Sequence, residues 1–144
     1  MGYRSDVAYT IAFKNKEHRV RFMAVQALDP EIDLKEFNLV DDETILFYHW
    51  QVKWYDEYEM VKAHRRLLED AKEQGCAWTF CRVGEEIGDI EQDGEDGKDE
   101  EGKDIYAPDM VFPTQSINII FPTRSIHLET EGEPYPIGET LDTA

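Results

Sequence analysis

The stretch from Thr44 to Gly84 constrains the fold most, because its hydrophobic pattern changes from period two to period 3.6 and back. Alternating aromatic and branched side chains predict a strand from Thr44 to Trp54, buried on both faces at first and solvated on one face later. A helix is predicted to begin at Asp56 and to end at Gly75, because glycine suits a left-handed stop. The strand pattern returns over Cys76–Val83.

These two elements have definite predicted faces. Period-two alternation places one set of large side chains of the strand together, namely Leu46, Tyr48, Trp50, Val52 and Trp54. In the helix, Asp56 and Glu59 are predicted to form a pair like a capping box. Helical spacing predicts that the buried stripe consists of Met60, Ala63, His64, Leu67, Leu68 and Ala71.

The first forty residues carry the other half of the pattern. Asp6–Lys14 alternates and predicts a strand, Asn15 suits a helix N-cap, and Asp29-Pro30 ends that helix. The helix is predicted to bury Val20, Met23, Ala24, Ala27 and Leu28. Phe37–Val40 reads as a short strand. The order strand, helix, strand, strand, helix, strand predicts an α+β fold of the ferredoxin-like, split βαβ (βαββαβ) type.

The 144 residues predict one domain with four parts. They are an α+β core over 6–83, an acidic loop over 84–104, short edge strands over 105–130 and a loose tail over 131–144. The edge strands are suggested by a local repeat, in which Phe112-Pro113-Thr114 returns as Phe121-Pro122-Thr123, since proline is tolerated at sheet edges. An exposed edge of this kind would pair with its own copy, which makes a homodimer one expectation.

A formal net charge of −17 limits the classes of partner. Such a surface repels phosphate backbones and anionic lipid, so direct nucleic-acid and membrane binding are not expected, whereas a basic protein surface or a cation is. No apolar run approaches the ~18 residues of a membrane helix and no signal-peptide pattern is found, so a cytoplasmic location is expected. Cys76 and Cys81 are predicted to be reduced core thiols on opposite faces of one strand.

Two regions are predicted to contact a partner. One is the aromatic end of the long strand with His49, Trp54 and Tyr55, for which packing between helix and sheet is the alternative reading. The other is the acidic loop, acting as a partial nucleic-acid mimic. Its acids would lie about 6 Å apart in an extended chain, against a charge every ~1.7 Å of duplex axis, so acids of the folded body would have to contribute. The candidate acids of the loop are Glu85, Glu86, Asp89, Glu91, Asp93, Glu95 and Asp96.

The acidic loop also resembles an EF-hand calcium loop. Asp89, Glu91 and Asp93 stand at positions one, three and five, with a glycine at six and Glu100 at twelve, and Glu95 is a further candidate ligand. Glu91 is longer than the residue preferred at its position, and no helix is predicted on either side. Calcium binding and a plain charged loop both stay open, and no other cofactor is predicted.

Catalytic motifs are absent from the sequence. The four histidines show no metal-binding spacing, and there is no P-loop, nucleophile elbow or dinucleotide-binding turn. His64 lies on the apolar side of its helix, which is typical of a core histidine. The sequence therefore predicts that the protein is not an enzyme.

Three short motifs resemble a group of small bacteriophage accessory proteins of unassigned function. They are Gly2-Tyr3-Arg4-Ser5-Asp6-Val7, Trp50-x-x-Lys53-Trp54-Tyr55 and Arg82-Val83-Gly84-Glu85, and the resemblance covers roughly residues 1–90. It implies a protein made in the bacterial cytoplasm that acts on host machinery or on a defence system. It implies no mechanism.

Two function classes follow from these observations. The first is a non-enzymatic inhibitor that binds a host protein, such as a nucleic-acid-handling or CRISPR-type defence complex, through charge complementarity. The alternative is a module that binds a small molecule, a nucleotide or Ca²⁺ without catalysis.

Overall fold

The computed structural model describes residues 2–108, 110–117, 122–130 and 133–134, with side chains described for 2–108. The first part of the chain forms β1 (Ser5–Ala12), α1 (Lys16–Gln26), a 3₁₀ turn (Leu34–Glu36), β2 (Phe37–Asp41), β3 (Thr44–Val52), α2 (Glu59–Glu73) and β4 (Ala77–Val83). The second part forms β5 (Ile90–Glu95), β6 (Gly97–Lys98), β7 (Asp104–Ile105), β8 (Met110–Ile117), β9 (Pro122–Thr130) and β10 (Glu133–Pro134).

The main sheet has the strand order β2-β3-β1-β4-β5, and every neighbouring pair is antiparallel. Its first four strands with α1 and α2 give the predicted ferredoxin-like arrangement, which is confirmed. β5 is an additional edge strand beside β4. In the part of the chain that the structure describes, no helix is long and apolar enough to span a bilayer.

The central strand β1 is buried along its whole length. Val7, Tyr9 and Ile11 belong to a large cluster with the side chains of both helices, while Ala8 packs with Cys81 in a smaller cluster on the other face. The backbones of β8 and β9 lie against β1 and β4. The alternation predicted for this strand is therefore confirmed, and so is the burial of both cysteines as thiols on opposite faces.

The second half of β3 departs from the predicted alternation. The β1–β3 register shifts between Val7 and Ser5, and Gln51 adopts a φ of 56°. This bulge adds one residue to β3 and reverses the faces of the residues after it. Val52 and Trp54 consequently join the large cluster on the helix side. The prediction that they share a face with Leu46 and Tyr48 is therefore wrong.

α1 follows its predicted stripe at one residue and departs from it at four. Met23 is buried as predicted and Phe22 is buried beside it, whereas Val20 and Leu28 are 50% and 83% exposed, and Ala24 and Ala27 are exposed as well. The helix has apolar residues on two sides, and the side that contains an aromatic ring is buried because it removes more apolar area from water. The predicted N-cap is confirmed, since the Asn15 Oδ1 accepts the His18 N–H at 2.8 Å.

α2 follows its predicted stripe with one addition and one correction. The predicted residues Ala63, His64, Leu67, Leu68 and Ala71 are buried, Met60 is partly buried, and Val61 is buried as well. The helix begins at Glu59 after Tyr58, without a side-chain cap, so the predicted capping pair is wrong. Gly75 adopts a φ of 80°, as expected of a helix stop.

The segment 84–104 differs from the predicted acidic loop. Ile90–Glu95 pairs with β4 in a continuous antiparallel register, and β6 pairs with β7. The two Phe-Pro-Thr copies fall in or beside β8 and β9, which pair with each other. Phe121 and most of the predicted tail lie outside the described residues, and the homodimer stays a prediction.

Candidate functional site

The segment 85–104, called the acidic edge below, contains most of the net charge. It has eleven acidic residues and two lysines, which is −9 of the formal −17. Its strand β5 forms the outer edge of the main sheet. Three of the acids, Glu91, Asp93 and Glu95, are therefore attached to this folded sheet, which fixes the spacing of their backbone positions.

Arg82 of β4 holds the start of the acidic edge. Its guanidinium donates from Nη2 to Asp89 Oδ1 at 2.6 Å and from Nη1 to Asp89 Oδ2 at 3.1 Å, and its Nε lies 3.3 Å from Glu91 Oε1. The hydrogen bond from Arg82, followed by one from Tyr3, lowers the pKa of Asp89 below its ordinary value. Asp89 is therefore held in its charged form by two donors.

The N-terminal residues complete this connection. The Tyr3 hydroxyl donates to Asp89 Oδ2 at 2.6 Å and accepts the Glu86 N–H at 2.9 Å, and the Arg4 N–H donates to Glu85 Oε1 at 3.0 Å. Gly84 lies so close to Tyr3 and Asp89 that a Cβ at this position would collide with both side chains. A side chain of any size is thus excluded at Gly84 unless this network opens.

The same N-terminal residues hold the bulge of β3. The Arg4 guanidinium donates to the Gln51 carbonyl at 2.8 Å, and the buried Asp6 carboxylate accepts the Gln51 N–H at 2.9 Å. A Cβ on Gly2 would lie 2.8 Å from the Tyr55 hydroxyl oxygen. The three motifs that carry the phage-type resemblance are far apart in sequence, and the structure brings them together at one end of the sheet.

The acidic edge also contacts α2. Arg65 Nη1 lies 3.3 Å from Glu91 Oε2, and Lys72 Nζ lies 3.1 Å from Glu95 Oε1. Asp93 lies between these two acids along β5, and its carboxylate accepts the N–H of Gly94 at 2.8 Å. Two ion pairs therefore connect the helix and the edge strand on either side of Asp93.

Two backbone N–H groups of β5 donate hydrogen bonds to acceptors in the same segment of the chain. The Ile90 N–H donates to the Gly88 carbonyl at 3.0 Å, and the Gly94 N–H donates to the Asp93 side chain. Local hydrogen bonds and charged side chains both discourage the addition of another strand to an open edge. Side-chain charge, more than open backbone, is what β5 presents to a partner.

The predicted aromatic contact residues have other surroundings. Their role as partner contacts stays a prediction, but Trp54 is only 7% exposed and packs between His64 and Phe80, as the packing alternative expects. The bulge at Gln51 is the reason, because it turns Trp54 toward the helices. His49 Nδ1 lies 3.0 Å from Glu36 Oε2, and Tyr55 packs edge-on against Tyr58.

The EF-hand-like arrangement does not form a coordination shell. Within the described residues, no group of three or more His, Cys, Asp and Glu side chains is placed to hold a metal ion. Asp89 and Glu91 are paired with Arg82, and Glu91, Asp93 and Glu95 are spread along an extended strand. A calcium loop instead curls its ligands around one point, so these side chains would have to rearrange to bind calcium, and calcium binding stays a prediction.

The strongly perturbed ionisable groups lie in the core. Burial lowers the pKa of His64 to about 4 and raises the pKa of both Cys76 and Cys81 to about 12. His64 is fully buried, with its Nδ1 2.6 Å from the Tyr9 hydroxyl oxygen. Buried structural positions explain these shifts without a reaction.

Three residues that organise the acidic edge, Tyr3, Arg65 and Arg82, were not singled out from the sequence as site residues. Tyr3 and Arg82 stand in two of the motifs that carry the resemblance, and Arg65 stands on the helix predicted before the acidic segment, but neither signal indicates a contact with the acids. No protein-family model, curated protein or solved structure matches the chain.

Proposed function

We propose that this chain is a non-enzymatic binding protein whose acidic edge docks onto a basic surface of another protein. The observation that supports it best is that the acids are held in place by Arg82, Tyr3, Arg65 and Lys72. A preorganised charged surface loses less side-chain entropy on binding than a loose one. Complementary charge then steers the encounter and selects basic partners.

The spacing of the acids suits a protein that normally binds nucleic acid. Alternate residues of a strand lie about 6.6 Å apart, whereas one strand of duplex DNA presents a phosphate every ~3.4 Å of axis. Glu91, Asp93 and Glu95 therefore stand at about twice the phosphate spacing. Arg65, Arg82 and Lys72 offset the charges of Glu91 and Glu95, so the strand does not copy the duplex, and the acids of the acidic edge outside these ion pairs would have to complement the arginine and lysine side chains of a partner.

The phage-type motifs extend the proposal to the partner. A small acidic protein of this kind would bind a host protein of the bacterial cytoplasm, such as a nucleic-acid-handling or CRISPR-type defence complex, and would block its basic surface. Inhibition would come from occupancy alone, so it would weaken as salt screens the charges.

The test is a pair of triple variants that change the net charge equally. Asp96→Asn, Glu100→Gln and Glu101→Gln neutralise the β6–β7 part of the acidic edge, and the control neutralises exposed acids elsewhere, with Asp42→Asn, Glu57→Gln and Glu73→Gln. Each tagged protein is incubated with a bacterial host lysate at low and at high ionic strength.

The expected result is a basic protein that the wild type and the control recover at low ionic strength. The acidic-edge variant should recover much less of it, and high ionic strength should release it from all three. Equal recovery by the two variants, or no basic partner in any condition, would contradict the proposal.

A further inference from the structure

We propose that the groove between α2 and β5 is a pocket for one arginine side chain of the basic partner. The inference rests on the proposed function, because it identifies where a residue of that partner would insert. Its basis is the arrangement of charged side chains where α2 faces β5. This groove, called the α2–β5 groove, is lined by Arg65, Leu68, Glu69, Lys72, Trp78, Phe80 and Asp93.

At each end of the groove a cation of α2 faces an acid of β5, whereas in the middle an acid of α2 and an acid of β5 line the groove together. Arg65 pairs with Glu91 at one end, and Lys72 pairs with Glu95 at the other. Glu69 comes between the two cations on α2, as Asp93 comes between the two acids on β5. Neither of these middle acids forms an ion pair with another described residue. A guanidinium between them would supply the missing cation.

The floor of the groove is aromatic. Trp78 and Phe80 line it, and the cavity has a volume of about 150 Å³. Trp78 is 9% exposed, and its indole N–H has no hydrogen-bond partner among the residues with described side chains. An aromatic face attracts a cation through its quadrupole, which adds to the attraction of the two carboxylates.

A cation of the chain itself already uses this aromatic surface. The Arg65 guanidinium carbon lies 4.7 Å from the centre of the Phe80 ring and 5.9 Å from that of Trp54. The neighbouring Lys72 has a raised pKa, first through its hydrogen bond to Glu95 and then through the charges of that acid, Glu69 and Asp93. The electrostatic field in the groove therefore favours positive charge.

The size and the lining select the occupant. A volume of about 150 Å³ is well below the roughly 300–1,000 Å³ of typical small-molecule sites, so the groove suits a single side chain better than a nucleotide. Both of its cations are engaged by acids of β5, which leaves little to bind phosphate. Arginine fits better than lysine, because its planar group stacks on rings and bonds carboxylates in pairs.

The decisive variant is Glu69→Lys, which replaces one of the two middle acids with a cation beside the other, Asp93. The matched control is Glu73→Lys, which makes the same charge change at an exposed position one turn along α2. The probe is a triarginine peptide, with tricitrulline as the uncharged peptide of the same shape. Binding is followed through the indole N–H signals of the ¹⁵N-labelled protein, with Trp78 assigned by a Trp78→Phe variant.

We expect triarginine, but not tricitrulline, to shift the Trp78 signal in a saturable way. Glu69→Lys should weaken this binding by about tenfold or more, because the lysine occupies the groove, while Glu73→Lys should change it by about twofold or less. Glu69→Lys should also raise the melting temperature above that of Glu73→Lys, which separates a filled groove from a damaged fold.

The proposal is overturned if triarginine leaves the Trp78 signal unchanged or if both lysine variants bind it equally. Neither result would affect the lysate test, because its variants leave the groove intact. Conversely, the wild type could bind triarginine in the groove and still recover no basic partner from lysate. That result would support the arginine pocket and contradict the proposed function.

Discussion

Acidification should destabilise the protein through one buried histidine. The Tyr9 hydroxyl, whose pKa is raised well above its ordinary value by burial, keeps its proton and forms a hydrogen bond with the His64 Nδ1 at 2.6 Å. The other ring nitrogen of His64, Nε2, has no partner among the described side chains. A second ring proton would therefore place a charge in the core with no acceptor to stabilise it.

The magnitude follows from the difference between the folded and unfolded pKa of His64. Burial lowers the folded pKa to about 4, from the 6.5 of an ordinary histidine. Between these values the unfolded chain binds a proton that the folded chain does not, so the free energy of unfolding falls as the pH falls below 6.5. At ~1.4 kcal/mol per pH unit, the loss is about 2 kcal/mol at pH 5 and about 3 kcal/mol near pH 4.

The assay is urea denaturation of the wild type and of the double variant Tyr9→Phe, His64→Leu between pH 8 and pH 5. This variant replaces both hydrogen-bonding partners with apolar groups, so its stability near pH 8 should be close to that of the wild type. Other groups titrate equally in both proteins, so the difference between the two curves isolates His64. A difference that stays constant with pH would refute this account. His64→Leu alone should be about 1–3 kcal/mol less stable than the double variant at every pH, because Tyr9 keeps a buried hydroxyl.

Three substitutions test the network and the core in the same denaturation assay. Arg82→Met should lower the free energy of unfolding by about 2–3 kcal/mol, since Asp89 loses its main donor, and it should speed amide exchange in β5; unchanged exchange there would contradict the role given to Arg82. Gly84→Ala should cost about 1–3 kcal/mol, because its methyl group meets Tyr3 and Asp89; a neutral result would show that these side chains move aside without loss. Arg19→Met should raise the melting temperature, because Arg19 is 2% exposed and its Nε and Nη1 have no hydrogen-bond partner among the described residues. A melting temperature below that of the wild type would contradict this and would indicate that the Arg19 guanidinium has an acceptor after all.

Local pattern predicted the elements of the sheet because the decisive forces there are local. β1 alternates apolar residues without interruption, so both its extent and its two buried faces follow from period two. The stripe of α2 likewise follows from one unambiguous apolar side. α1 shows the limit of this reasoning, because two apolar sides compete and only the packing of Phe22 against Phe13, with ring centres 5.1 Å apart, decides between them.

The bulge in β3 could not be predicted, because the groups that stabilise it come from another part of the chain. Gln51 has no glycine-like tendency toward positive φ. Its N–H is held by Asp6 and its carbonyl by Arg4, and both lie more than forty residues earlier in the sequence. Trp54 follows the bulge, and the extra residue turns its side chain to the face of the strand opposite the one that the alternation predicts.

The acidic edge was misjudged for a similar reason. Composition alone favours a solvated loop, because residues 85–104 contain few groups that a core can bury. Their order depends on Arg82, which forms the two-armed contact to Asp89, and on Tyr3, which is separated from Asp89 by 86 positions. The sequence identifies the candidate acids, whose role stays a prediction, but the grouping of Glu91, Asp93 and Glu95 on one sheet edge beside α2 needed the fold.

This order supports the proposed binding, rather than mere solubility, as an explanation of the charge. A loose acidic segment would keep the protein soluble just as well, because net charge acts through its sum and depends little on position. Fixing the backbone of a residue costs about 1–2 kcal/mol of conformational entropy, and aligning like charges on one strand adds repulsion. The chain offsets this with long-range contacts from Tyr3 and Arg82 and with two ion pairs to α2. Among the described side chains, Glu69 and Asp93 still form no ion pair with a cation. Charge that is held in a fixed arrangement, with one position left open for a cation, is what recognition of a basic partner requires and solubility does not.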